Sequence, residues 1–396
     1  METRDVVVIG GGSTGSSILF NLAKLGVTNT LLIERHELGS GQTGRSTAII
    51  RTHYSNPVVT RMALRSYNFF RDFEAELRGY GSGYFECGLL IGASAESRGG
   101  LLQNVKMHRA LGIVSGILDR DQMKRLEPLL DPDAFDSVAY EPHAGYAEPS
   151  TTVNSFVQAA KSLGARTLLN TKVISVIKST GGYTLSTDNG VVEAKKVVLA
   201  TGVYSAPILT SLGINLPLKM VRHPVCIFRR PAPYHGARPI IFDLARACTL
   251  KPEGRSSLHV SSFERDLDNF GASVDPDHYD AEVSFEEMEK FTGWVAKNIP
   301  LMKTEGIFER SYTGVYDDTP DQQPIIDELS DYGFEDLYCL VGLSGHGFKL
   351  CPEFGRIMAE LITTKGFHDY DISIFRSRRF ASGELIRSRY SVSTVG

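Results

Sequence analysis

The stretch from Val6 to Leu25 leaves the chain little freedom in how to begin. Four apolar residues, Val6 to Ile9, run straight into Gly10-x-Gly12-x-x-Gly15, and Ile18, Leu19, Leu22 and Leu25 then recur at helical spacing. Strand, tight turn and helix follow from that pattern. A glycine turn lets backbone approach a pyrophosphate, while the helix behind it, opening at Ser13 and Thr14, points free N–H groups and its positive dipole end at the charge. A second apolar run, Thr30 to Ile33, ends in Glu34 and Arg35. A carboxylate there accepts hydrogen bonds from both ribose hydroxyls of an adenosine and repels a 2'-phosphate. This motif alone does not separate NAD from FAD.

The length of 396 residues fits roughly two domains on the usual prior of about 150 residues each. With 42 basic against 46 acidic side chains, a net charge of -4 gives no electrostatic case for nucleic acid or an anionic membrane. The five cysteines are scattered without a C-x-x-C pair, which argues against a disulfide framework or a structural zinc site, and no metal site is expected. Glu2 and Asp5 before the first strand leave no room for a signal peptide, and no apolar run approaches the roughly 20 residues that span a bilayer. A cytoplasmic location is the expectation.

No internal repeat is present, and the only biased segment is a Ser/Arg-flavoured tail after Phe380. A loop of small residues, "LGSGQTGRSTAIIRTHYS", precedes a helical pattern from Val58 to Leu77. Short strand-like pieces then surround a charged helix at Arg120 to Leu130. Helix and strand return near 148, followed by a hairpin with an Asn189-Gly190 turn and a buried strand ending in Ala200-Thr201-Gly202. Strands with one helix, Ser284 to Ile299, occupy the text to Tyr316. The chain closes on strand, glycine turn and helix in "DLYCLVGLSGHGFKLCPEFGRIMAELI". Two interleaved domains are expected: a nucleotide-binding domain from 1–83, 147–217 and 318–396, and a substrate domain from 84–146 and 218–317.

With "TGRSTAIIRTHY" and "GLSGHGFKL" added to the glycine motif, the sequence resembles the D-amino acid oxidase superfamily, in its glycine oxidase and sarcosine oxidase branch. "TGRSTAIIR" is most similar to the beta subunit of heterotetrameric sarcosine oxidase, and "SGHGFK" to the monomeric sarcosine oxidases. The resemblance implies an α/β fold, a Rossmann-like FAD-binding domain interleaved with a mostly antiparallel β-sheet substrate domain. It implies FAD contacts at Gly10, Gly12, Ser13, Thr14, Gly15, Glu34 and Arg35, and at Gly41, Thr43, Arg45, Ser46, Thr47 and Ala48 in the small-residue loop. It adds Val173, the segment Ala200, Thr201 and Gly202, and the late turn Gly345, His346, Gly347, Phe348 and Lys349. For Arg45 a solvated side chain is the alternative.

The implied activity is oxidation of the C–N bond of a small amino acid or N-alkyl amino acid, by hydride transfer to flavin N5 and hydrolysis of the imine. In this family an Arg and a Lys hold the substrate carboxylate, and the matching residues are Arg51 and Lys349. The helix after Gly347 would point its N-terminus at charge developing near flavin N1 and O2. His346 either handles a proton or holds the turn, and Tyr316 either lines the substrate cavity or packs in the core.

The sequence also departs from its relatives. The monomeric enzymes carry a flavin-linking Cys where Gly314 stands, and "GSGQTGRSTA" lacks the linking His of dimethylglycine dehydrogenases. Non-covalent FAD follows. Where the family has an oxygen-activating Lys, this chain has His259, which either serves there or merely faces a neighbouring strand. The electron acceptor is therefore dioxygen or a quinone or electron-transfer partner. Membership of a multi-flavin hetero-oligomer and an NAD(P)H-dependent flavin hydroxylase are the alternatives, although the hydroxylases' late Gly-Asp motif is absent.

Overall fold

The computed structural model describes residues 3–263 and 273–390, so the end of the Ser/Arg tail lies outside the described residues. β1 (Arg4–Ile9) pairs in parallel with β2 (Thr30–Ile33) on one side and with Gly190–Leu199 on the other. Val6 and Val8 pack with Ile18, Leu19 and Leu22 of α1 (Ser13–Lys24), while Val7 and Ile9 pack with Val197 and Leu199 on the opposite face. A parallel strand covered on both faces needs this unbroken apolar run. Arg166–Leu168 extends the sheet beyond β2, Leu337–Val341 joins Gly190–Leu199 in parallel, and Ile325–Glu328 closes that edge antiparallel. The helix Gly347–Thr364 crosses α1 so closely that a Cβ on Gly355 would stand 2.2 Å from Ser17 Oγ.

A second sheet runs in the order Ile307–Asp318, Lys219–Arg229, Ser257–Ser262, Cys248–Glu253, Ile240–Asp243, Leu89–Ala93, Ser137–Glu141 and Gly116–Leu118. Its neighbours are antiparallel except Ile240–Asp243 with Leu89–Ala93. Cys226, Leu250, Leu258 and Val260 face the helix Phe285–Asn298, packing with Phe291, Trp294 and Val295. The residues between them emerge on the other face, as a two-residue repeat demands. Ile227 and Lys251 thereby flank His259 in one cross-strand row. Ile49–Ile50, Gly145–Tyr146 and Phe85–Glu86 form a small third sheet that leads into Arg51.

Several elements differ from the sequence pattern. The helix expected over 58–77 is Pro57–Arg71, capped by Asn56, and it breaks at Asp72 before a further turn, Phe73–Glu76. The charged helix stops at Leu126. Asp188 and Asn189 form the hairpin turn, with Gly190 (φ +123°) opening the next strand. A helix, Arg98–Ala110, stands where only strand-like pieces were expected.

Candidate active site

The first turn is built for close approach. Gly10 has φ +112°, and a Cβ there would lie 2.3 Å from the Ala200 carbonyl oxygen, so the turn and the segment through Thr201 and Gly202 touch backbone to backbone. A Cβ on Gly15 would meet the Gly10 oxygen at 1.9 Å. Gly12 caps α1 with no side chain, and no acid stands in the first turn, while the Ser13 N–H donates to Thr43 Oγ1 at 3.0 Å. Thr14 and Gly15 continue the buried first turn. The Glu34 carboxylate accepts from the N–H of Gly11 at 2.6 Å and of His36 at 2.9 Å. Its carbonyl takes the Thr171 N–H, which brings Val173 alongside. Arg35 turns away to Asp277 and the Tyr204 ring. A side-chain-free glycine turn at a helix N-terminus, beside a carboxylate, is the setting that a pyrophosphate and a ribose require, and the chain fits a dinucleotide here.

Beyond Gly41 the loop coils through Thr43 to Arg45, whose guanidinium donates to the carbonyls of Ser40 and Gly41. Ser46 Oγ accepts the Ala48 N–H, and Ala48 adopts φ +53°. Between this loop and the second sheet lies a cleft of about 450 Å³, lined by Arg45, Ser46 and Ala48 on one side and by Lys251, His259 and Tyr312 on the other. Lys251 is the residue sequence reasoning missed. Only 3% exposed, it donates to the Thr47 carbonyl at 2.9 Å and pairs with Glu253 at 2.7 Å. His259 meets the same carboxylate at 3.1 Å, and burial, then the Lys251 charge, push it down to about 4.

Gly314 and Tyr316 share the cleft face of their strand with Tyr312, two residues apart each time. A Cβ on Gly314 would sit 3.3 Å from Gln42 Oε1, so this position faces the loop, and Gln42 Oε1 also accepts the Val315 N–H. The Tyr316 ring stacks on His223 at 4.1 Å and abuts Gly345, where a Cβ would come within 2.7 Å of it.

Arg51, 3% exposed, lies with its guanidinium 4.2 Å from the Tyr54 ring and 5.0 Å from that of Phe242. It donates to the His53 carbonyl, and its Nε has no partner. Lys349 Nζ donates to the Gly345 carbonyl at 2.9 Å, and burial, then the Arg51 charge, push this ammonium well below its ordinary value. Among the described residues neither cation has a carboxylate in ion-pair contact. His346 Nε2 lies 3.0 Å from the Gln322 carbonyl, which can only accept, so Nε2 carries the proton and Nδ1 accepts from the Tyr54 hydroxyl at 2.9 Å. Both ring nitrogens are thus engaged, and burial holds the imidazole neutral. Gly347 opens the helix without a side-chain cap, and the Phe348 ring turns into the core against Phe70. The structure therefore gathers Arg51, His346, Lys349 and Tyr316 around the late turn, and sets His259 across the cleft with Lys251 and Glu253.

A glycine turn at the carboxyl end of a parallel sheet, with a cleft between the small-residue loop and a mostly antiparallel sheet, defines a dinucleotide-dependent oxidoreductase architecture. Residues 5–361 match the family model described as FAD dependent oxidoreductase (DAO), and the chain belongs to that family. It is 26% identical over 407 residues to mitochondrial sarcosine dehydrogenase of Homo sapiens, covering 98% of this chain but 43% of that protein, so it spans less than half of that relative's length. It is 25% identical to the sarcosine oxidase subunit beta of Arthrobacter sp, covering 97% of this chain and 93% of the subunit. The L-proline dehydrogenase from P. horikoshii superposes with a TM-score of 0.87 at 26% identity, covering 97% of this chain and all of that one. No helix among the described residues is long and apolar enough to cross a membrane.

Proposed function

We propose that this protein oxidises the C–N bond of a small amino acid or N-alkyl amino acid, with the substrate carboxylate held between Arg51 and Lys349. The observation that carries this reading is the pair itself: a buried guanidinium and a buried amine whose charge burial and the guanidinium disfavour, with no acid on either among the described residues. Two such charges face each other at a cost unless an anion enters between them. A carboxylate bound there restores the Lys349 proton and excludes amines that lack an acid. FAD, when bound, accepts the hydride equivalent from the carbon next to nitrogen. His346, fixed by Gln322 and Tyr54, keeps the late turn and the ring under Arg51 in place rather than exchanging protons. Tyr316 walls the substrate space beside Gly345.

In this reading the segments 1–83, 147–217 and 318–396 hold the cofactor, and 84–146 and 218–317 supply the wall over it. FAD is held without a covalent bond, because Gly314 puts no nucleophile against the loop. None of the five cysteines forms a disulfide, which suits a reducing compartment and a cytoplasmic location. The acceptor is dioxygen or a quinone or electron-transfer partner. The test is anaerobic bleaching of the FAD-loaded protein by sarcosine, glycine, dimethylglycine, proline and D-amino acids, each beside its decarboxylated analogue. Bleaching by the acids alone supports the proposal. Equal bleaching by the analogues, or bleaching only by NADPH, refutes it.

A second reading, amine-oxidising subunit of a larger complex, is supported by the likeness to a beta subunit over nearly the whole chain. Gel filtration after co-purification from the native host separates it from a free enzyme.

A further inference from the structure

Behind Arg51 lies a second group of side chains that amine oxidation does not use. His53 and His108 are fully buried and Glu141 is 2% exposed, and they come from the loop after Arg51, the helix Arg98–Ala110 and the strand Ser137–Glu141. His53 Nδ1 and His108 Nδ1 each stand 3.6 Å from Glu141 Oε1, and the three atoms all lie within 4.8 Å of one another. None of the three has a hydrogen-bond partner.

The outer atoms of the same side chains are all satisfied. His108 Nε2 lies 2.8 Å from the Tyr54 carbonyl, which can only accept, so Nε2 is protonated and Nδ1 turns a lone pair inward. His53 Nε2 meets the Tyr390 hydroxyl at 2.7 Å. Glu141 Oε2 accepts from the N–H and the hydroxyl of Thr52. When His53 Nε2 donates to the Tyr390 hydroxyl, the lone pairs of both imidazoles and of Glu141 converge on one buried point. The spacing is too long for hydrogen bonds between the rings and the carboxylate. It is close to the edge of about 3.4 Å expected of a tetrahedron with metal–ligand bonds of about 2.1 Å.

We propose that His53, His108 and Glu141 bind a divalent first-row transition metal of the zinc type, through two Nδ1 atoms and one carboxylate oxygen. Two imidazoles and a carboxylate suit such an ion, whereas calcium and magnesium prefer all-oxygen sets. The outer hydrogen bonds are those that orient metal-bound histidines. The ion fastens three segments at the point where the His53 carbonyl receives Arg51, and Tyr390 ties the C-terminal segment to the same site. Its role is to brace the residues behind the substrate pocket.

The probe is zinc itself. The FAD-loaded protein is dialysed against zinc, freed of loose ion and counted by elemental analysis. About one zinc per chain is expected, falling below about a tenth in His108→Ala and Glu141→Gln and unchanged in His143→Ala, an exposed histidine beside Glu86. Because the first two variants can fail to fold, the wild-type protein is also examined by zinc X-ray absorption, where imidazole ligands at about 2.0 Å are expected. A folded, FAD-holding wild-type protein that retains no zinc, or retains it without imidazole ligands, overturns the proposal. The count is read on the protein whether or not any amino acid is turned over, so failure of the substrate screen is a separate result.

Discussion

Tyr54 and His346 share a hydrogen bond of 2.9 Å in which the hydroxyl donates and Nδ1 accepts, and the same tyrosine ring lies beneath the Arg51 guanidinium. Burial pushes Tyr54 up to about 12, so it remains a donor throughout the working range. Tyr54→Phe keeps the ring and orphans Nδ1. The expected result is a loss of about 1–2 kcal/mol in denaturant unfolding, with turnover changed less than about threefold. A hundredfold fall in kcat would instead make the pair a proton-transfer unit.

The carboxylate clamp predicts a specific pattern of losses. Arg51→Ala and Lys349→Ala should each lower kcat/KM for the amino acid by roughly two orders of magnitude, about 2–3 kcal/mol, and less than additively together. The decarboxylated analogue, poor from the start, should lose little more. Equal losses for both compounds would mean that the variants damage folding or flavin binding, not substrate capture.

A pH profile gives an independent check on the same pair. The free-enzyme pKa of Lys349 lies well below its ordinary value, and a bound carboxylate needs the ammonium charged. kcat/KM for the acid should therefore fall as pH rises through that lowered pKa, well before the ordinary lysine value near 10.4. The linked stability has the opposite sense: because the unfolded chain keeps the proton longer, stability rises with pH between the folded and the unfolded pKa. Lys349→Met should abolish both effects, and a basic limb that survives it belongs to another group.

Glu34 secures the first turn through Gly11 and His36, with two strands between its own and the one that leads into the late turn. Glu34→Ala should weaken FAD binding by about tenfold or more while sparing turnover at saturating FAD. In the wild type, acid or detergent should release the flavin intact into the supernatant. Yellow colour remaining on the precipitated protein would reveal a covalent link that Gly314 cannot provide.

Lys251 and Glu253 make a linked prediction about the acceptor. If the Lys251 charge promotes reaction with dioxygen, Lys251→Met should slow aerobic reoxidation by roughly tenfold, and Glu253→Gln, which removes the carboxylate that keeps this buried ammonium charged, should slow it too. Anaerobic reduction by substrate should change in neither. Rates of reoxidation by dioxygen identical in all three proteins would leave a quinone or protein acceptor as the reading to pursue.

The cofactor end of the molecule was legible because its signals are local. Val6 to Glu34 places strand, turn, helix, strand and acid within one short span, and local spacing survives folding unchanged. Arg98–Ala110 was illegible for the converse reason. It begins with two glycines near its N-terminus, which disfavour helix, and its buried face is Leu101, Asn104, Val105 and His108, so half of the core positions are polar. Lys251 escaped notice because its meaning comes from a cross-strand register with His259, not from a motif. His53, His108 and Glu141 carry no ligand spacing at all; three separate elements bring them together.

The position of β1 in the middle of its sheet constrains how a ribosome can deliver this protein. The strand emerges before these partners: one neighbour, Gly190–Leu199, is translated nearly two hundred residues later, and Leu337–Val341 later still. Apolar edges made early must wait for partners made late, and such non-local pairing is slow and prone to aggregation. A chain halted midway should therefore be a client of holding chaperones rather than a folded intermediate. Truncations that remove Leu337–Val341 and the helix Gly347–Thr364 should be cleared by proteolysis, even though the glycine turn is intact.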